Sequence, residues 1–177
     1  MLLTRCGNPE GLAQMSKHYN VLFLCTGNSA RSIMAEALLN HKGKANFTAY
    51  SAGSHPSGTP RPEALAQLES AGIGIEGLRS KSWDEFAAPG APHLDFVFTV
   101  CDNAANETCP YWPGRPMTAH WGIPDPAAVK GTPEEIARAF RDAFEILDHR
   151  IGLFLSLPLA TLQELAIQKK ISKIGNA

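Results

Sequence analysis

A three-layer α/β/α fold around a central, mostly four-stranded parallel sheet is what the sequence predicts. Three observations carry that expectation. Short apolar runs alternate with segments of helical period along the chain, the pattern of parallel strands joined by crossover helices. The run Val21-Leu22-Phe23-Leu24 is apolar at every position, as a strand covered on both faces must be. Right-handed crossovers then place helices on both faces of the sheet.

The elements follow in order. The first strand is expected over 20–24. The next helix is expected over 30–41, with Ile33, Met34, Ala37 and Leu38 on one stripe and Gly43 stopping it. Residues 47–52 read as a second strand. Thr59-Pro60-Arg61-Pro62 opens a helix with Leu65 and Leu68 on its inner face, and Gly72 closes it. Residues 80–86 read as a helical turn, and 94–100 as a central strand with Cys101 at its end. A long loop is expected over 102–115, rich in Asn, Pro and Gly, and long loops inside compact domains tend to be functional. Residues 117–121 form a short strand. In Gly122-Ile123-Pro124-Asp125-Pro126, two prolines stiffen the backbone around an aspartate. Thr132, Pro133 and Glu135 supply an N-cap, a first-turn proline and a capping box for the last long helix. A shorter helix is expected over 159–171.

Composition excludes several function classes. The net charge of −1 advertises no nucleic-acid surface. No apolar run approaches the ~18 residues of a membrane span, and no secretory h-region is visible. A cytoplasmic monomer is therefore expected, with neither nucleic acid nor membrane as partner. Four cysteines in 177 residues are too few for a disulfide scaffold and point to reactive or redox roles. Residues 1–19 read as an N-terminal extension, with Met15-Ser16-Lys17 a natural start and Cys6 an incidental surface thiol. Residues 20–177 read as one domain.

The chemistry is concentrated at strand ends, where open α/β sheets place their ligands. Cys25 ends the first strand, and Thr26, Gly27, Asn28, Ser29, Ala30, Arg31 and Ser32 lead into a helix. Such a loop aims backbone N–H groups at a tetrahedral anion. Arg31 can clamp two of the anion's oxygens. Ser32 can donate to the sulfur, and Gly27 and Asn28 tolerate unusual backbone conformations. A free thiol has a pKa of about 8.5, which a helix N-terminus and a nearby cation lower. Cys25 is therefore the expected nucleophile, and Asp125 a carboxylic acid able to protonate a departing oxygen.

The span Cys25-Thr26-Gly27-Asn28-Ser29-Ala30-Arg31-Ser32 resembles the C-x5-R-S loop of low-molecular-weight protein tyrosine phosphatases. It more closely resembles the loop of the arsenate reductases that share their fold. Asp125-Pro126 matches the Asp-Pro of the same families, and the resemblance covers about 20–166. It implies the low-molecular-weight phosphatase fold, Cys25 as nucleophile and Asp125 as general acid. Phosphatases of this kind carry aromatic residues after Asp-Pro; here Ala127-Ala128-Val129 follow, which favours a small inorganic substrate. Cys101 and Cys109 add the thiols that reduction of As(V) to As(III) requires. The implied sequence is attack of Cys25 on arsenate, attack of Cys101 on the Cys25 sulfur, and closure of a Cys101–Cys109 disulfide. Seven residues lie between Cys101 and Cys109, slightly more than in thioredoxin-linked members. Thioredoxin, or glutathione with glutaredoxin, is the implied reductant.

Two other readings stay open: a phosphatase acting on phosphate monoesters, and a non-catalytic oxyanion or redox sensor. His120 and Trp121 are expected in packing or at the rim, and His55 in an exposed loop. Cys101, Cys109, His93 and His120 do not form a zinc spacing, and no cofactor is expected. By resemblance, Glu36, Asn28, Ser51 and Asp84 are candidate ligands for a monovalent cation behind the anion loop.

Overall fold

The computed structural model describes residues 17–177; the expectations for Cys6 and the rest of 1–16 lie outside the described residues. Four strands, β1 (Tyr19–Leu24), β2 (Phe47–Ala52), β3 (Phe96–Thr99) and β4 (Met117–His120), form one sheet in the order β2-β1-β3-β4. Every pairing is parallel, with Leu22 opposite Tyr50 on one side and Val97 on the other. β1 is central, and its four apolar residues are fully buried. The strand begins one residue earlier than expected because Tyr19 stacks on Phe47, 5.5 Å between ring centroids.

The alternation of side chains along β1 divides the core in two. Val21 and Phe23 join Phe96 and Phe98 under α1 (Arg31–Gly43), α2 (Pro62–Ser70), α4 (Pro133–Leu155) and α5 (Glu164–Ile174). Leu22, Leu24 and Val97 face the other way, against Phe86, Leu94 and Trp112. The three layers are thus unequal: the second face is closed by the 3-10 turn Trp83–Phe86 and by Trp112. The thick layer centres on an aromatic cluster. Phe98 stacks on Trp121 at 4.1 Å, and Phe154 meets both rings edge-on.

Three boundaries depart from the sequence reading. Gly43 is the last residue of α1 rather than a stop after it. A Cβ there would lie 3.0 Å from both Leu155 and Leu39, so close packing against α4 selects the glycine. The expected loop over 102–115 begins with a short helix, α3 (Asp102–Asn106), capped by the Cys101 sulfur. Five residues carry too little periodicity to announce a helix. α5 starts at Glu164, because Pro158–Leu162 is held as a turn by bonds from the Thr161 and Leu162 N–H groups to the Pro158 carbonyl. The capping box at α4 forms as expected: Thr132 Oγ1 accepts from the Glu135 N–H, and Glu135 Oε2 accepts from the Thr132 N–H.

The strand order fixes where chemistry can gather. The connection from β1 leads to β2 on one side, and that from β3 leads to β4 on the other. The adjacent ends of β1 and β3 are therefore a topological switch point, where crossovers diverge and leave a crevice. Cys25 and Cys101 follow those two ends.

Candidate active site

The loop after β1 is built by tying its carbonyls outward. The carbonyls of Thr26, Gly27 and Ser29 accept from the N–H groups of His55, Ser57 and Arg61 at 2.8–3.0 Å. In a trans peptide the next N–H points the opposite way. The amides of Gly27, Asn28 and Ala30 are thereby directed to the inner side of the loop. The first bond of α1 runs from Met34 N–H to the Ala30 carbonyl, so the amides before it stay outside the helical ladder and face an incoming anion. Asn28 takes the left-handed conformation, φ 42°, and its buried amide pins the turn. Its Nδ2 donates to Ser32 Oγ and Ser51 Oγ, each at 2.9 Å, and its Oδ1 accepts from Lys81 N–H at 2.8 Å. Ser32 Oγ thus accepts from Asn28, which leaves its own hydroxyl proton free to donate.

Gly53 backs the loop. A Cβ at this position would stand 2.4 Å from the Thr26 carbonyl oxygen and 2.8 Å from that of Cys25. Only glycine allows the end of β2 to approach so closely.

Cys25 and Cys101 are brought together, both free and both buried. Cys101 Sγ accepts from Thr26 N–H at 3.3 Å and from Ala104 N–H at 3.4 Å. The thiol of Cys25 hydrogen-bonds to the Cys101 sulfur, which pulls Cys101 down to about 5; the N–H groups of Ala104 and Thr26 act in the same direction. The same bond, with burial, pushes Cys25 upward, against the pull of the Arg31 guanidinium and the Gly27 N–H. The two thiols are thus pushed in opposite directions, Cys25 toward its protonated form and Cys101 toward its thiolate.

Arg31, the first residue of α1, spans the crevice. Its Nη1 donates to the Ile123 carbonyl at 3.0 Å, and its Nη2 lies 3.4 Å from Asp125 Oδ2. Asp125 Oδ1 accepts from Ala127 N–H at 3.0 Å, so one carboxylate oxygen holds the turn and the other faces the guanidinium. The Gly122–Asp125 segment is set from behind by the buried Arg150, whose Nη1 donates to the carbonyls of Trp121 and Gly122 at 2.8 and 3.1 Å. Arg31, Cys101, Asp102, Asn103 and the 122–125 turn line a cleft of about 420 Å³. The second thiol, the anion clamp and the carboxyl group therefore share one opening, and Arg31 joins it to the Cys25 loop.

Cys109 is not part of this cluster. It is exposed, beyond α3, and burial of its sulfur and the Glu107 carboxylate push its thiol up. Glu107 ties the same segment to the loop: its Oε1 accepts from Thr26 Oγ1 at 3.2 Å. His55 is exposed, as expected. His120 links β3 to α3, contacting Thr99 Oγ1 at 2.8 Å and Asp102 Oδ1 at 2.9 Å. Trp121 is core, with its indole N–H donating to the Ile171 carbonyl.

The cation site suggested by resemblance does not assemble. Asn28, Ser51 and Glu36 converge, with Ser51 Oγ donating to Glu36 Oε2. Asp84 instead is exposed and pairs with the Ser82 hydroxyl at 3.1 Å. The Lys81 ammonium stands 3.5 Å from Glu36 Oε2. A cation already sits beside the carboxylate, so these residues do not fit a bound monovalent ion. Among the described residues no three His, Cys, Asp or Glu side chains are grouped to hold a metal, and no helix is long and apolar enough to cross a membrane.

Sequence reasoning missed Gly53, Lys81, Glu107 and Arg150. Each acts through contacts across more than 25 positions of chain, so no local motif marks them. Only the glycine closing the second strand was a visible hint.

Comparison with known proteins places this geometry. The sequence model for low molecular weight phosphotyrosine protein phosphatases matches residues 20–170. An arsenate reductase of Shouchella clausii is 37% identical over 134 residues, covering 76% of this chain and 93% of that protein. Among solved structures, an arsenate reductase in its phosphate-binding state superposes with a TM-score of 0.59 at 25% identity, covering 76% of this chain and 94% of the other. A thioredoxin-dependent arsenate reductase of Corynebacterium glutamicum gives 0.54 at 27% identity, covering 78% of this chain and 64% of the other.

Proposed function

The chain belongs to the low molecular weight phosphotyrosine protein phosphatase family, and within it we propose that the protein is an arsenate reductase working through a cysteine relay. The seat of a second buried thiol against the Cys25 loop, with Cys101 Sγ accepting from the Thr26 N–H at 3.3 Å, carries this reading. A phosphatase needs a single nucleophilic sulfur and water. A two-electron reduction needs a second thiol within reach of the first, and the bond from the Thr26 N–H to the Cys101 sulfur supports that role for Cys101.

Arsenate docks on the amides of the Gly27–Arg31 loop with two oxygens on Arg31, displacing the guanidinium from Asp125. Transfer of the Cys25 proton to Cys101 leaves the Cys25 thiolate. It attacks As(V), and the oxygen that leaves takes a proton from Asp125 and departs as water. Cys101 gives up its proton to an oxygen of the bound arsenic group and attacks the Cys25 sulfur. The new S–S bond forms as the S–As bond breaks, and its electron pair passes to arsenic, giving As(III) as arsenite. Cys109 then attacks Cys101, freeing Cys25 and leaving a Cys101–Cys109 disulfide. An external thiol reductant, the thioredoxin dithiol or two glutathione molecules with glutaredoxin, restores both thiols. Because Cys109 lies outside the cluster, the third step requires 102–109 to rearrange, with loss of the Thr26–Glu107 bond and of the Ala104 N–H bond that caps α3 through Cys101.

Arsenite formation under turnover tests the scheme. Cys25→Ser and Cys101→Ser should be inactive with either reductant. Cys109→Ser should fail with thioredoxin; full turnover of that variant with thioredoxin refutes the three-cysteine relay. Rapid hydrolysis of p-nitrophenyl phosphate without arsenite formation would favour a phosphatase.

A further inference from the structure

Behind the anion loop lies a chain of buried polar contacts that the relay does not use. Asn28 Nδ2 donates to Ser51 Oγ, Ser51 Oγ donates to Glu36 Oε2, and Lys81 Nζ stands 3.5 Å from the same carboxylate oxygen. The side chains of Glu36 and Lys81 are only 12% and 6% exposed. Lys81 Nζ also donates to the Arg79 carbonyl at 3.1 Å, while its backbone N–H holds Asn28 Oδ1. Lys81 therefore grips the loop twice, by its main chain directly and by its ammonium through Glu36, Ser51 and Asn28.

A buried carboxylate needs a counter-charge. Burial pushes Glu36 up and Lys81 down, and each ion opposes the other's shift. A free monovalent cation brought to the same oxygen would be repelled by the ammonium.

We propose that the Lys81 ammonium is a built-in cation for the oxyanion loop, holding Glu36, Ser51 and Asn28 in register and making oxyanion binding independent of monovalent salt. Lys81 is a positioning residue: it acts on the anion through the conformation of Asn28 and never touches it. The inference rests on the reading of the Cys25 loop as an oxyanion site, and its test therefore uses binding and stability, neither of which requires turnover.

The experiment measures the affinity for inorganic phosphate by calorimetry, and Tm, in KCl, NaCl and choline chloride at equal ionic strength. The unsubstituted protein should give the same Kd and the same Tm in all three. Lys81→Ser should bind phosphate about tenfold to a hundredfold more weakly in choline chloride, the range for disturbing residues behind a bound group. KCl should restore much of that loss by filling the vacated position. Lys81→Met, which fills the space without charge, should not respond to KCl. A KCl-specific rise in affinity or Tm of the unsubstituted protein would overturn the proposal, as would Lys81→Ser binding phosphate normally in choline chloride. Should the variants fail to fold, the salt comparison on the unsubstituted protein still decides. Absence of phosphate binding in every salt would refute the oxyanion-site reading instead, and the Tm comparison would still judge Lys81.

Discussion

Replacing Cys101 with serine should remove a thiolate present well below neutral pH. In the folded chain the Cys101 thiol is pulled to about 5 by the Cys25 hydrogen bond and the amides of Ala104 and Thr26, whereas an unfolded thiol titrates near ~8.5. The folded state thus holds fewer protons than the unfolded state between those values, and stability rises with pH across that window. The contribution is present above the unfolded pKa and is lost as pH falls through 5. One proton of difference is worth about 1.4 kcal/mol per pH unit. From pH 5.5 to 7.5 the linkage amounts to roughly 2.5 kcal/mol once partial titration at the lower end is included. Above the unfolded value the sign reverses, because the raised Cys25 keeps its proton when the unfolded chain has lost it.

The assay has two arms. Thiolate absorbance near the ultraviolet edge, followed against pH in a Cys109→Ser background, should show one thiolate per chain appearing near pH 5. Adding Cys101→Ser should abolish that step. Denaturant unfolding at several pH values should show a rise in stability from pH 5.5 to 7.5 that the serine variant lacks. A Cys101→Ser protein that keeps a thiolate appearing near pH 5 would put the charge on Cys25 and refute the assignment.

Other substitutions probe the loop and its supports. Gly53→Ala drives a methyl into the Thr26 and Cys25 carbonyls; phosphate affinity should fall sharply and stability by about 1–3 kcal/mol, the range for forced overpacking, measured by calorimetry and denaturant unfolding. Asp125→Asn keeps an acceptor for the Ala127 N–H but cannot supply a proton. Its kcat should drop about 10²–10⁴-fold, while phosphate binding holds or tightens because the competing Arg31 contact weakens. Thr132→Ala removes the capping box of α4 and should lower unfolding free energy by about 1 kcal/mol, leaving arsenite formation unchanged.

What the sequence made legible was local. The apolar run of β1, the Cys25–Ser32 loop and the Thr132–Glu135 capping box each encode their structure within a few neighbouring residues, and each forms where expected. Asp125 was legible because two prolines mark its turn. The supports of the site were not, since pairing between distant segments creates them. Lys81 lies in a short polar stretch whose burial follows from the Gly53–Ser82 bridge. Arg150 sits inside an amphipathic helix and reads there as one more surface charge. α3 escaped notice because its cap is a sulfur, Cys101, and its length is five residues. The cation site failed at Asp84 for a related reason: the 3-10 turn that Ser82 caps leaves the Asp84 side chain at the surface.

The central claim is that Cys25 and Cys101 together supply the two electrons that arsenate receives. The most direct measurement is a single turnover of fully reduced protein with arsenate and no external reductant, counting arsenite and remaining thiols per chain. One arsenite should form with two thiols lost, the disulfide joining Cys101 to Cys109 in the unsubstituted protein and Cys25 to Cys101 in Cys109→Ser. Arsenite released by Cys101→Ser in the same amount, or thiols left intact while arsenate is bound, would contradict it.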